Sequence, residues 1–456
     1  MDLSSNHRGA WGSRIGFILA AAGSAIGLGN IWRFPYVTGE NGGAAFVLFY
    51  FIFVLIIGLP VMISELAIGR HTQKNPVGAF SALANRSWWP LLGILGVATG
   101  VGILSYYSVI AGWTLGYFIK AIGGSFTDMN GEQAMQHFTQ FVSDPKTSLI
   151  YLVVFLGITG MVVMGGVSSG IERWAKILMP VLLFLLIVLT LRSVTLQGAK
   201  EGLAFYLKPD FSKISLSMLA NALGQALFSL SLGMGTMITY GSYIAKRENL
   251  AISAGYVCLF DTLIAIISGL MIFPALFAMG LDPEGGPGLV FVVLPTIFEQ
   301  MPGGFIFGAG FFLLLTVAAL TSTISLLEVP VAYMVDEKKW RRPKAVLLMT
   351  LLALILGVPS ALSQGAVSWL SNIPLIGLGF LDFANILLGN YSLTTGALFI
   401  AIFVGYKWGV KNVIKEVTLE NNQFYFANLW SFLIRFFCPI AILAIFMYIL
   451  ITRNYF

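Results

Sequence analysis

Charge is what this sequence has least of. Asp, Glu, Lys and Arg make up 10% of 456 residues, too few to cover the surface of a soluble protein of this length. Histidine occurs three times, as His7, His71 and His137, each in a polar joint. No metal-binding or nucleophile motif accompanies them, so nothing speaks for an enzyme. The two cysteines, Cys258 and Cys438, both fall in apolar stretches. A thiol there reads as a small buried hydrophobe, and neither a disulfide nor a cysteine metal site is expected. A P-loop Gly-Lys-Ser/Thr motif is missing, as is any nucleotide domain, which excludes a primary pump. So is the basic, apolar, small-residue order of a cleavable signal peptide, and the first span is expected to stay in the mature chain. The net charge of +6 comes without a basic run interleaved with aromatics, so no nucleic-acid partner is expected.

What is abundant is apolar. Hydrophobic residues reach 57% and mean hydropathy is +0.87, which makes lipid the solvent. About 20 apolar residues cross a bilayer as a helix, and the pattern predicts an all-α polytopic membrane protein of about eleven spans. They are placed near 13–36, 42–69, 90–121, 148–165, 171–192, 217–244, 250–279, 304–336, 345–362, 375–406 and 429–452. The whole chain reads as one transmembrane domain. Alternate joints are rich in cations: Arg70, Lys74 and Arg86; Lys246 and Arg247; Lys338, Lys339, Arg341, Arg342 and Lys344; Lys407, Lys411 and Lys415. The opposite joints are poorer, and one carries Asp282, Glu284 and Glu299. By the positive-inside rule the N-terminus is cytoplasmic, and an odd span count leaves the C-terminus outside. That last joint also holds Pro283, Gly285, Gly286, Pro287 and Gly288, which predicts a re-entrant cap.

Two spans are unfit to be plain helices. Gly23-Ser24-Ala25-Ile26-Gly27-Leu28-Gly29-Asn30 puts three glycines mid-membrane, each costing about 1 kcal/mol against alanine in a helix. Phe228-Ser229-Leu230-Ser231-Leu232-Gly233-Met234-Gly235 repeats the fault five spans later. One glycine cluster would read as close helix packing. Two in register, each beside Ser or Asn side chains able to take over broken backbone bonds, predict unwound helices one and six. Five is odd, so these spans run in opposite directions, and 13–192 and 217–406 become two inverted five-helix repeats, with 429–452 an additional helix.

Unwinding frees carbonyls that ligate a hard cation and amides that attract a carboxylate. Such a site suits a zwitterion with Na⁺. Asn30, Ser229 and Asp261 add side-chain oxygens, and Asp261 stands among Phe260, Leu263 and Ile264. A buried acid in lipid either makes a structural hydrogen bond or marks an ion path, and Asp261 is read as the second. Thr321 and Ser322 form another oxygen pair, which on its own reads as hydroxyls bonded within their helix.

Residue by residue the chain resembles the neurotransmitter:sodium symporter family. The resemblance rests on Gly27-Leu28-Gly29-Asn30-Ile31-Trp32-Arg33-Phe34-Pro35, Glu40-Asn41-Gly42-Gly43, Glu65-Leu66-Ala67-Ile68-Gly69-Arg70, Tyr106-Tyr107, Gly170-Ile171-Glu172-Arg173, Gln225-Ala226-Leu227-Phe228-Ser229-Leu230-Ser231 and Leu320-Thr321-Ser322. Eleven spans and short tails look like the bacterial members and a plasma-membrane location. The resemblance implies alternating access and two co-transported sodium ions beside a substrate held halfway across. It assigns the first ion to the Ala25 carbonyl, Asn30, Ser229, Asp261 and the substrate carboxylate. The second goes to the carbonyls of Gly23, Ile26 and Ala318 with the hydroxyls of Thr321 and Ser322.

The same resemblance places Tyr107 and the Gly27, Leu28 and Gly29 amides at the substrate carboxylate, and Ser24, Ala25, Phe228, Ser231 and Ser322 at its amino end. Ile103, Met234 and Leu326 then meet the side chain, and none satisfies a polar group, so the cargo is expected to be an apolar or aromatic amino acid. Arg33 with Asp382 would form an outer gate above Phe228 and Tyr107. Arg8 with Asp336 would form an inner one beside Trp11. Gly170 and Pro180 would let the cytoplasmic half of span five unwind. Asp261 departs from the family's usual Asn. In animal members a bound chloride supplies negative charge nearby, so chloride-independent transport is expected here. No obligate protein partner is foreseen. A channel or a transport-dead amino-acid sensor remains the rival reading, although no repeated filter or charged ring is visible.

Overall fold

The computed structural model describes residues 9–453 apart from 85, 127–128, 130, 282–288, 300–302 and 375. Among these, nine helices are long and apolar enough to cross a membrane, and a tenth span is a bent pair. The bent pair is α1 (Arg14–Ala25) and α2 (Gly29–Glu40), which meet at 50°. There follow α3 (Ala44–Thr72), α4 (Pro90–Ile122), α5 (Pro145–Met164) and α6 (Val167–Val194). The next hydrophobic segment is split into α7 (Leu216–Ser229) and α8 (Thr236–Gly241). After it come α9 (Leu250–Ala278), α10 (Gly304–Asp336), α11 (Arg342–Leu362), α12 (Phe380–Val417) and α13 (Ala427–Thr452). The order is that of the eleven predicted segments; α7 and α8 belong to one of them, interrupted at the six residues 230–235.

Each break has a local cause. α1 starts at Ser13, whose hydroxyl accepts the Gly16 amide, and stops at Ile26, whose backbone turns extended at ψ 97°. Gly27 and Gly29 give helix little reason to resume, and the Asn30 side chain takes the Gly27 amide at 3.2 Å. In the second break Ser231, Gly233 and Gly235 all have positive φ, at 54°, 83° and 78°. For serine that conformation costs on the order of 1 kcal/mol. Its hydroxyl compensates by bonding the Ser24 carbonyl at 2.9 Å, which ties the two breaks together.

Close backbone contacts hold the broken helices. A Cβ at Gly241 would stand 2.7 Å from the Leu66 carbonyl oxygen, and one at Gly69 would collide with the Ile238 carbonyl, so α3 and α8 cross with no side chain between them. Glu65 of α3, fully buried, accepts the Gly233 amide at 2.7 Å and pins the second break from the other side. α10 packs along α4, α6 and α5, and α1 lies against α9 and α10. These contacts put the breaks beside the middle of α10.

The joints contain more helix than hydropathy revealed. Pro76–Leu83, Gly131–Ser143 and Ala199–Leu207 are helical, as is the amphipathic end of α12, Val410–Val417, set off by Gly409 at φ 91°. Of the predicted re-entrant cap, Pro283 to Gly288 lie outside the described residues. The remainder, Leu289–Val293 and Leu294–Glu299, is helical, and Phe291 packs on Trp32, Trp113, Tyr117, Phe138 and Phe312. Two cations assigned to joints reach buried carboxylates. Arg70 is 0% exposed and bonds Glu416 at 2.8 Å, and Arg342 reaches back to the fully buried Glu328. Each buried carboxylate is thereby paired, as burial in a low-dielectric interior demands.

Candidate functional site

Between the two breaks lies a small cavity, lined by Ser24, Ala25, Gly27, Gly29, Ile103, Tyr107, Phe228, Ser229, Ser231, Met234, Ser322 and Leu326. Every one of these was singled out from the sequence. Leu28, singled out with them, points its amide at the Tyr107 hydroxyl, 2.9 Å away. The cavity has two chemical halves: freed amides, hydroxyls and carbonyls where the helices break, and the aliphatic surface of Ile103, Met234 and Leu326. Gly27 is required here for space. A Cβ would stand 2.7 Å from the Tyr107 hydroxyl and collide with that of Ser322.

On one side of the cavity Asp261 is the centre of a buried polar group. Its carboxylate accepts Asn30 Nδ2 at 2.8 Å, the Ser229 hydroxyl at 2.7 Å and the Tyr50 hydroxyl at 2.8 Å. Asn30 also bonds the Asp261 carbonyl at 3.1 Å. All four residues are at most 1% exposed. The structure therefore brings Asn30, Ser229 and Asp261 together beside Ala25, and adds Tyr50. Tyr50 was missed by sequence reasoning. Its signal was a phenol in the middle of an otherwise apolar span, since a buried tyrosine hydroxyl normally has a partner.

On another side Thr321 places its hydroxyl 3.3 Å from the Ile26 carbonyl oxygen and 2.8 Å from that of Ala318. The Ser322 hydroxyl is 3.2 Å from the Ser24 carbonyl. Gly23 faces this cluster, with its Cβ position 3.2 Å from Thr321 Cβ and 3.2 Å from Met179 sulfur. Met179 of α6 thus packs beside Gly23, at the edge of the cluster. Among the described residues no three His, Cys, Asp or Glu side chains converge. Both clusters are oxygen sets of carbonyl, hydroxyl, amide and at most one carboxylate, suited to a hard cation and not to a transition metal.

A second, roomier cavity shares Gly29, Tyr107 and Phe228 with the first. Tyr107 and Phe228 therefore stand between the two. Arg33 and Asp382 both line this outer cavity, yet no ion pair joins them. Arg33 instead donates to Gln225 at 2.5 Å and lies 4.9 Å over the Phe228 ring. Gln225 in turn donates to the Gly29 carbonyl at 2.8 Å, linking α7 to α2.

At the other end Arg8 lies outside the described residues. Asp336 accepts the Asn75 amide at 3.0 Å. Trp11 donates its indole N–H to the Tyr240 carbonyl at 3.0 Å and packs on the rings of Phe17, Tyr240 and Tyr243. It fills the gap between α1 and α8.

The Sodium:neurotransmitter symporter family matches residues 8–137 and 132–455. The uncharacterized sodium-dependent transporter YhdH of Bacillus subtilis is 41% identical over 440 residues, 96% of each chain. A sodium-dependent transporter of Methanocaldococcus jannaschii, MJ1319, is 33% identical over 97% of this chain and 90% of its own. Among solved structures, that of MhsT in complex with L-phenylalanine superposes with a TM-score of 0.89 at 47% identity, covering 96% of this chain and 99% of that one. With matches of this extent over its whole length, the chain belongs to the sodium:neurotransmitter symporter family, a family of membrane transporters and not of enzymes.

Proposed function

We propose that this protein carries apolar and aromatic L-amino acids into the cell together with two sodium ions, by alternating access and without chloride. The observation that carries the proposal is the cavity between the two helix breaks, polar at one end and aliphatic at the other. A zwitterionic backbone fits the freed amides and hydroxyls, and an uncharged side chain fits Ile103, Met234 and Leu326. Met234, an adaptable thioether, favours cargo of several sizes. One sodium is assigned to Ala25, Asn30, Ser229 and Asp261 with the substrate carboxylate, and the other to Gly23, Ile26, Ala318, Thr321 and Ser322. Sharing the carboxylate makes binding of substrate and first ion mutually favourable. That MhsT was solved with L-phenylalanine supports the substrate class.

The two repeats, 13–192 and 217–406, move against each other around this site, with the N-terminus cytoplasmic and the C-terminus outside. Arg33 and Asp382 close the outer cavity once substrate lies beneath Phe228 and Tyr107, and Trp11 and Asp336 belong to the inner closure.

Uptake of radiolabelled tryptophan and leucine into proteoliposomes tests the proposal. An inward sodium gradient should drive accumulation, and potassium or choline in its place should not. Binding without accumulation under any gradient would favour a sensor, and failure of both substrates to bind would remove the pocket assignment. Thr321→Ala should weaken the apparent sodium affinity by about tenfold, the worth of one hydroxyl ligand in a buried site, with little effect on the choice of amino acid. An unchanged sodium dependence would detach Thr321 from the ion.

A further inference from the structure

One stretch of α6 carries two contacts that the transport scheme leaves unused. α6 begins after Gly166, at φ 85°, with a π-helical turn over Val167–Glu172, and Pro180 lies farther along. The proline has no amide to close the turn on the Lys176 carbonyl, and π turns are poorly bonded. The helix is therefore weakest on both sides of the residues between. Those residues include Met179, which packs beside Gly23 at the edge of the Thr321 cluster, and the stretch opens on Glu172.

Glu172 is 2% exposed. Its carboxylate accepts the Gly12 amide at 2.6 Å, the Ser13 hydroxyl at 2.8 Å and the Lys176 ammonium at 2.6 Å. Gly12 and Ser13 lead directly into α1, so the anion sits where the helix dipole and the free first-turn amides favour it. Gly16 leaves the necessary room, since a Cβ there would collide with the carboxylate. Glu172 is thus bonded both to the start of α1 and to its own helix.

We propose that Glu172 is a positioning residue for transport: it ties the beginning of α1 to the stretch of α6 that packs at the edge of the Thr321 cluster, so that opening the cluster on that side and freeing α1 are one step. The inference rests on the reading above, that a sodium ion binds at Thr321 and that α1 opens toward the cytoplasm. Unwinding α6 around Met179 turns Glu172 away from Gly12 and Ser13. While those bonds hold, Met179 stays against Gly23. Linkage then runs both ways: sodium at the cluster strengthens the Glu172 contacts, and the contacts strengthen sodium binding.

Hydrogen exchange of the full-length protein in nanodiscs, with sodium or with potassium, reads both segments at once. In the unaltered protein sodium should slow the amides of 14–25 and 167–180 together. In Glu172→Ala the amides of 14–25 should exchange about tenfold faster in saturating sodium, as expected for loss of charge-assisted hydrogen bonds. They should also lose their sodium response, while 167–180 keep theirs. Apparent sodium affinity should fall about tenfold by the same linkage. Glu172→Gln, which keeps an acceptor, should lie between. Lys176→Gln alters a side chain that is 44% exposed and should give the same uncoupling in weaker form, even where Glu172→Ala folds poorly. A joint sodium response preserved in both Glu172→Ala and Lys176→Gln overturns the proposal. So does faster exchange spread evenly over the chain with that joint response intact, which is the mark of a purely structural residue. Absence of any sodium response in the unaltered protein overturns the sodium reading itself, and this inference with it.

Discussion

Asp261→Asn should reduce sodium-driven uptake by about 100-fold or more in gluconate buffer, whereas the unaltered protein should run equally well in gluconate and in chloride. Asp261 is fully buried and receives three side-chain donors, from Asn30, Ser229 and Tyr50. An amide in its place removes the only negative charge of the group and turns an NH₂ toward groups that are themselves donors. Breaking a buried charged network in this way costs roughly 3–5 kcal/mol, and here the cost falls on the state that holds sodium. Chloride should restore part of the activity of the variant, because a mobile anion returns the missing charge. Uptake by Asp261→Asn at the unaltered rate in gluconate would remove Asp261 from the ion path. A large loss of rate in the unaltered protein without chloride would end the claim of chloride independence.

Gly27→Ala should weaken substrate binding by about 100-fold or more while the protein still folds. Residue 27 already lies in the break between α1 and α2, so alanine disrupts no helix. Its methyl would nevertheless sit 2.7 Å from the Tyr107 hydroxyl and against the Ser322 hydroxyl, at the polar end of the cavity. Overpacking of a fixed site costs about 1–3 kcal/mol, and displaced donors leave the substrate carboxylate underbonded. Together they should weaken substrate affinity by about 100-fold or more. Scintillation proximity binding and a thermal melt on the same sample separate the two effects. Near-normal affinity would mean that the amino acid does not lie against this break.

Much of this site was legible in one dimension because its residues announce themselves locally. Glycines at bilayer depth are costly in a helix, so Gly27 and Gly29, and later Gly233 and Gly235, mark the breaks with no partner needed, although Gly23 stays helical. A carboxylate in an apolar span is equally conspicuous, and Asp261 was found that way. Tyr50 and Gln225 were not found as site residues, because each is unremarkable until its partner is known. Tyr50 matters through Asp261, 211 positions away, and Gln225 through Arg33, 192 positions away. Arg70 and Arg342 were read only as cations of the joints for the same reason: what engages them is Glu416, 346 residues from Arg70, and the buried Glu328. Arg33 and Asp382 carry the converse lesson. Both face the outer cavity, but Gln225 and Phe228 engage the guanidinium and no ion pair with Asp382 forms.

The sequence by itself determined that the chain lives in lipid, where its helices lie and where two of them cannot continue, since those follow from hydropathy and backbone preference within a few neighbouring residues. Only the tertiary structure decided which oxygens face one another across the breaks, that Ser231 holds its strained backbone by bonding Ser24, and that Met179 and Glu172 join α6 to α1. Those contacts are set by how close α1, α6, α7 and α10 approach. That approach depends on backbone crossings such as Gly69 on α8 and Gly241 on α3, which no local pattern encodes.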